Sequence, residues 1–254
     1  MMKRMKLGVL DWGIGGIDFQ ARLRARHPDL SVVYWSDSGA TPYGKLGREA
    51  LAARVASVAA ALRGRGATHV VIACNAASTV LDHPAIAGVG VEICGVIAPA
   101  IAATLADPAR VVGVIGGRRT ISSGMYRRGL TTGGRCVISR VAQPLSAMVE
   151  RGELDSPAVQ ETLSGILGPL RRIEALVLAC THYTALLPAI QGLLPGVRII
   201  DPAAATLAEV ERRWCLSGQG AQDMFLTTGD PAAMQLAARL AFGVALPEVQ
   251  RVTL

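Results

Sequence analysis

The sequence predicts an α/β protein made of two pseudo-symmetric α/β halves with mainly parallel sheets and a site in the cleft between them. Three observations carry that expectation. Apolar runs rich in Val, Ile and Leu alternate with helix-like segments along all 254 residues, the pattern of βαβ units. Val70-Val71-Ile72-Ala73-Cys74-Asn75-Ala76-Ala77-Ser78 is closely echoed by Leu176-Val177-Leu178-Ala179-Cys180-Thr181-His182-Tyr183-Thr184. The strand–helix alternation also restarts after Pro99. The halves expected are residues 1–97 with 207–254, and 98–206.

In the first half, Lys6–Leu10 reads as a strand ending at Asp11, followed by the turn Trp12-Gly13-Ile14-Gly15-Gly16. A helix is expected over Ile17–Arg26, a strand over Ser31–Trp35, and a long Ala-rich amphipathic helix over about Arg48–Arg65. Between the last two lies a loop carrying Asp37, Thr41, Pro42, Tyr43 and Gly44. Strands follow at Val70–Ala73 and Val91–Cys94, and Gly95–Pro99 reads as a connection.

In the second half, strands are expected at Val111–Ile115, Arg135–Ser139, Leu176–Ala179 and Arg198–Ile200. Helices are expected at Ser122–Arg128, Ala142–Arg151 and Ser156–Leu170, with another from about Ala204 to Trp214 leading back to the first half. A strand near Met224–Thr227 precedes Asp230-Pro231, a cap followed by a proline suited to the first helical position. The helix Ala232–Phe242 then closes the fold.

Composition narrows the function classes. Hydrophobic residues make up 51% and aromatics 4%, so the core is aliphatic. The net charge of +7 suits an acidic small-molecule substrate. The arginines are scattered and no basic block alternates with aromatic residues, so a dedicated nucleic-acid role is not expected. The five cysteines form no CxxC pair and no zinc-spaced cluster with histidine, which reads as reduced cytoplasmic thiols and no metal. The basic Met1–Lys6 leads into a short run broken by Asp11 and glycines, a first strand and not a signal peptide. The longest uncharged apolar stretch, Ile93–Ala106, is too short to cross a membrane.

An apolar strand that stops at Ala-Cys puts the thiol at its carboxyl end, where open α/β sheets hold ligands. Taken singly, Cys74 or Cys180 reads as a buried small hydrophobe. Taken as a matched pair, one from each half, they suit two-base proton transfer, with an ordinary thiol pKa of about 8.5 lying near working pH. Asp11 and His182 are placed to tune the two thiols, against the plainer readings of a helix cap and a structural histidine. Asn75, Thr181 and the backbone around Tyr43-Gly44 offer hydrogen bonds to a substrate carboxylate or ammonium. His27, His69 and His83 receive no role. Gly13-Ile14-Gly15-Gly16 lacks the spacing of a dinucleotide fingerprint.

These segments together resemble the motifs of glutamate racemase, in that family's order and approximate spacing. The resemblance runs through Gly8–Gly16, Ser36–Ser38 with Pro42–Gly44, and the two cysteine motifs. It continues through Gly113–Gly116, Pro144-Leu145 leading to Glu150, and Thr228–Pro231, and so spans essentially the whole chain. It implies cofactor-independent racemisation of a small amino acid in the cleft of an often dimeric enzyme, with Cys74 and Cys180 as the two bases. Asp11 and His182 become their assistants, and Glu150 a further acid near the second thiol. Substrate contacts fall on Asp11, Trp12, Tyr43, Gly44, Asn75, Ala76, Thr181 and His182. Supply of D-glutamate for peptidoglycan is also implied.

Two positions depart from the family pattern: Trp12 replaces a serine and Ala76 a threonine, both substrate-binding hydroxyls. Trp12 either brings apolar bulk into the site or turns outward into a domain or subunit contact. Two alternatives follow: the same chemistry on another substrate such as aspartate, or a non-catalytic paralogue with a regulatory role such as on DNA gyrase.

Overall fold

A computed structural model describes residues 5–218 and 223–254; the expectation for the basic residues before Met5 lies outside them. The first half opens with β1 (Lys6–Asp11), α1 (Ile17–Arg26), β2 (Ser31–Ser36) and α2 (Arg48–Gly64). It continues through β3 (His69–Ile72), α3 (Asn75–Ser78), α4 (Pro84–Ala87), β4 (Glu92–Gly95) and α5 (Ile97–Ala106). The second half runs β5 (Val111–Gly116), α6 (Arg118–Ser123), α7 (Met125–Thr132), β6 (Cys136–Val141), α8 (Gln143–Glu150) and α9 (Pro157–Leu167). After it come β7 (Ala175–Ala179), α10 (Leu187–Leu193), β8 (Arg198–Ile200) and α11 (Pro202–Arg213). The chain returns to the first sheet with β9 (Met224–Thr227), α12 (Pro231–Phe242) and β10 (Val249–Arg251).

All strand pairs are parallel. One sheet has the order β10-β9-β2-β1-β3-β4 and the other β6-β5-β7-β8. The order β2-β1-β3-β4 is repeated by β6-β5-β7-β8, so β3 and β7 are equivalent and the cysteines that follow them occupy equivalent places. Parallel strands are covered on both faces, which is why β1, β3, β5 and β7 are almost wholly apolar and buried. In α2 the buried positions Leu51, Ala52, Val55, Val58, Ala59 and Leu62 recur at helical spacing and face the first sheet's core.

Four expectations need correction. Gly95–Pro99 is not merely a connection, because α5 begins at Ile97; Pro99 sits in its first turn, where its missing N–H is not needed. The single helix expected at Ser122–Arg128 is two helices. Gly124, at φ +68°, takes the left-handed conformation that ends α6 and starts α7. The helix expected from Ala204 starts at Pro202, with the Asp201 carboxylate accepting from the Ala203 N–H. Finally, α12 does not close the fold, since β10 adds a strand beside β9. The Asp230 cap is as expected, its carboxylate accepting from Ala233 N–H at 2.7 Å.

Candidate active site

The carboxyl ends of the two sheets converge on one cavity of about 400 Å³, within the usual size of small-ligand pockets. Every residue singled out from the sequence lines it: Asp11, Trp12, Tyr43, Gly44, Cys74, Asn75, Ala76, Glu150, Cys180, Thr181 and His182. The register explains the convergence. Leu10 of β1 pairs with Ile72 of β3, so Asp11 and Cys74 emerge side by side from the first sheet. Gly116 of β5 pairs with Ala179 of β7, so Cys180 leaves the second sheet at the corresponding edge.

The two thiols have different partners. Cys74 caps the short helix α3 and lies against the Asp11 carboxyl. Burial and the Asp11 charge push its pKa well above the ordinary thiol value, against the pull of the Ala77 N–H. Asp11 is fully buried. Burial raises its pKa even though His182, Cys74 and the Gly16 N–H act to lower it. Its Oδ2 accepts from Gly16 N–H at 3.0 Å, whereas Oδ1 has no partner among the described residues. Asp11 is therefore no helix cap of the ordinary kind; one of its oxygens is buried without a partner among the described residues.

On the opposite side, Cys180 Sγ lies 3.7 Å from His182 Nδ1, and His182 Nε2 lies 2.6 Å from Glu150 Oε1. Burial alone would drive the imidazolium pKa down, but contact with Cys180 and Glu150 wins and holds it well above the ordinary histidine value. Glu150 shows the reciprocal effect: burial raises its pKa, and the His182 contact with the Ile14 N–H lowers it further than burial lifts it. Thus Glu150 and Cys180 both favour the charged form of His182, which is clamped by a carboxylate and faces a sulfur.

The glycines between Asp11 and Ile17 bring the halves together. A Cβ at Gly13 would lie 2.2 Å from Glu150 Oε1, and one at Gly15 would lie 2.2 Å from Thr181 Oγ1 and 2.8 Å from His182 Nδ1. This loop of the first half is inserted against the catalytic candidates of the second, and side chains there would hold the halves apart.

Trp12 resolves inward along the cavity wall, with its indole N–H donating to the Ala40 carbonyl at 3.1 Å. The Tyr43 hydroxyl donates to Asp37 at 2.8 Å, and the same buried carboxylate holds both Arg54 and Thr228. With its hydroxyl committed there, Tyr43 anchors the loop. Sequence reasoning missed Tyr126 of α7, whose hydroxyl donates to Asn75 Oδ1 at 2.7 Å. That bond fixes the Asn75 amide and leaves its buried Nδ2 without a partner among the described residues. A lone tyrosine in an unremarkable helix carried no signal of this. Arg119, Thr120, Gln143 and Ser146 also line the cavity and were not anticipated. Of the other histidines, His27 pairs with Glu211 and His83 with Glu49, both away from the cavity.

Two repeated parallel sheets, each presenting a strand-end cysteine to a shared pocket, define an α/β enzyme of the racemase class. Residues 17–210 match the model of the Asp/Glu/Hydantoin racemase family, and the chain belongs to that family. It is accordingly a racemase, an isomerase. It is 36% identical over 259 residues to glutamate racemase of Mycobacterium ulcerans, covering 97% of this chain and 95% of that protein. Glutamate racemase of Ralstonia pickettii is 34% identical over 259 residues, covering 97% and 90%. Among solved structures, glutamate racemase from Thermus thermophilus, in complex with β-chloro-D-alanine, is 31% identical. It superimposes with a TM-score of 0.88 over 99% of this chain and 98% of that one. Glutamate racemase RacE1 from Bacillus anthracis is 28% identical with a TM-score of 0.90 and the same coverage. Among the described residues no helix is long and apolar enough to cross a membrane.

Proposed function

We propose that this racemase interconverts L- and D-glutamate without a cofactor, by proton transfer between Cys74 and Cys180. The observation that carries the reading is that both thiols line one cavity, each with its own acid–base partner. In one direction the thiolate of one cysteine takes the Cα proton, leaving a planar carbanion. The thiol of the other cysteine then delivers a proton to the opposite face, and the two sulfurs end with exchanged protonation states. Asp11, whose raised pKa makes it a stronger base than an ordinary aspartate, serves Cys74. His182, oriented and kept charged by Glu150, serves Cys180.

The two unpartnered buried groups suit the substrate's common part. Asp11 Oδ1 is an acceptor for an α-ammonium, and Asn75 Nδ2 a donor for an α-carboxylate; a buried group left unsatisfied would otherwise cost about 1–3 kcal/mol. Thr181 and the Tyr43-Gly44 backbone complete the contacts. The sheets correspond to the two domains we assign, residues 1–97 with 207–254 and residues 98–206, the later boundary falling within α11. A cytoplasmic homodimer supplying D-glutamate to peptidoglycan is the physiological setting that the family relationship supports.

The test is incubation of the pure protein with L-glutamate in deuterated water, beside a panel of other amino acids. D-Glutamate carrying α-deuterium is the expected product. Absence of both inversion and exchange for glutamate, or a clear preference for aspartate, would overturn the reading.

A further inference from the structure

Beside the catalytic cavity lies a second hollow of about 480 Å³, and the two share Gly44 and Arg119 in their walls. Its lining is strongly cationic: Arg48 comes from the first half, and Arg118, Arg119 and Arg128 from the second. Arg48 is neutralised by Asp82 at 2.8 Å. Among the described residues the other three form no ion pair. We propose that this hollow, lined by both halves, is a binding site for a small polyanion of the phosphate class, held by Arg118, Arg119 and Arg128 of the second half.

Arg119 distinguishes the hollow from a wholly solvated basic face. Arg119 is half-buried and pinned: its Nε donates to Thr79 Oγ1 at 3.0 Å and an Nη to the Leu46 carbonyl at 2.6 Å. Both acceptors are neutral, so they fix the guanidinium without cancelling its charge. Burial and the nearby Arg48 cation both act against that charge, so a bound anion relieves an existing cost. One fixed guanidinium, Arg119, flanked by the exposed Arg118 and Arg128, matches several oxygens of a phosphate group better than a single carboxylate. Thr79, which receives Arg119, itself donates to the Ala76 carbonyl on the wall of the catalytic cavity. An occupant therefore sits one hydrogen-bonded step from the wall of the reaction site and touches both halves.

The site is tested by isothermal titration of the intact protein with inorganic pyrophosphate at constant ionic strength, with inorganic phosphate and glycerol phosphate as further arms. Saturable binding is expected, weakened tenfold or more in the double variant Arg118→Gln, Arg128→Gln. The charge-conserving Arg118→Lys, Arg128→Lys variant should bind more tightly than the Gln pair. Glutamate racemisation without added anion should be unchanged, because neither residue lines the catalytic cavity. The control removes two exposed arginines elsewhere, Arg171→Gln with Arg172→Gln, and should bind like wild type. Tighter binding of glycerol phosphate than of inorganic phosphate identifies an esterified ligand, and the reverse order a free one. Absence of saturable binding to all three probes, or equal weakening in the two Gln double variants, would overturn the assignment.

Discussion

His182 Nε2 stands 2.6 Å from Glu150 Oε1, and that contact breaks the symmetry of an otherwise repeated fold. Cys74 and Cys180 follow equivalent strands, but the carboxylates nearest them do not. Asp11 comes directly from the end of β1 and lies against its thiol. The equivalent end of β5 offers only Gly116-Gly117, and the second thiol instead neighbours an imidazole that is held by a carboxylate on α8.

Glu150→Gln should therefore impair one thiol selectively. The variant keeps an oxygen for the Ile14 N–H but removes the negative charge that favours the protonated form of His182. The His182 pKa should fall, measurable by NMR titration of the imidazole. The turnover number should drop by roughly 10²-fold or more, the scale of a lost general acid–base contribution, with the larger effect on the direction in which Cys180 acts as the acid.

Cys74→Ser and Cys180→Ser should each abolish inversion, by roughly 10³-fold or more given what a positioned acid or base contributes. The fold should persist, since a hydroxyl nearly matches the thiol in size. Circular dichroism alongside the deuterium-exchange assay checks both halves of this expectation.

Gly13→Ala and Gly15→Ala should lose activity out of proportion to the single methyl added, because each Cβ would lie 2.2 Å from a side-chain oxygen of the second half. A displacement of about 1 Å at a reacting centre costs on the order of 10²-fold in rate. Gly165→Ala, inside α9 with nothing within 4 Å of the new methyl, should instead stabilise by about 0.5–1 kcal/mol. Steady-state kinetics and thermal unfolding of the three variants separate the two effects.

Trp12→Ser combined with Ala76→Thr should lower the KM for glutamate. Each restored hydroxyl adds a hydrogen bond of about 0.5–1.5 kcal/mol, so a fall of several-fold to tenfold is expected. Loss of the Trp12–Ala40 contact should lower thermal stability slightly at the same time. An unchanged KM would place the substrate away from both positions.

Stability should be highest in mildly acidic to neutral solution and decline on the alkaline side. The raised His182 pKa contributes stability that is complete below its ordinary 6.5 and disappears as pH climbs through the folded value. Cys74 adds to the alkaline loss, because ionisation above the ordinary thiol value is resisted by the folded state. On the acid side, the lowered Glu150 pKa contributes stability that is present above 4.5 and lost as pH falls through the folded value. Asp11 acts in the opposite sense, since its raised pKa favours the folded state at low pH. Unfolding midpoints across pH, compared with Cys74→Ser, should show a shallower alkaline decline in the variant.

The chain's linear pattern was sufficient for what depends on neighbours in sequence. Continuous apolar runs marked buried parallel strands, Asp230-Pro231 marked a helix start, and the Ala-Cys endings marked strand tips. Repetition of those endings indicated two related halves, and the motifs named the residues that line the cavity. Local signals failed where a short element owes its existence to a partner: β10 is three residues beside β9, and α5 begins in spite of a proline tolerated in its first turn. Tertiary structure alone decided the direction of Trp12, the bond from Tyr126 that orients Asn75, and the convergence of Arg118, Arg119 and Arg128 with Arg48. It also gave the loop glycines their reason, which is the close approach of Glu150 and Thr181 from residues more than a hundred positions away. Periodicity and capping record how a segment meets solvent and core, whereas distances between side chains on separate segments arise only when the two sheets pack.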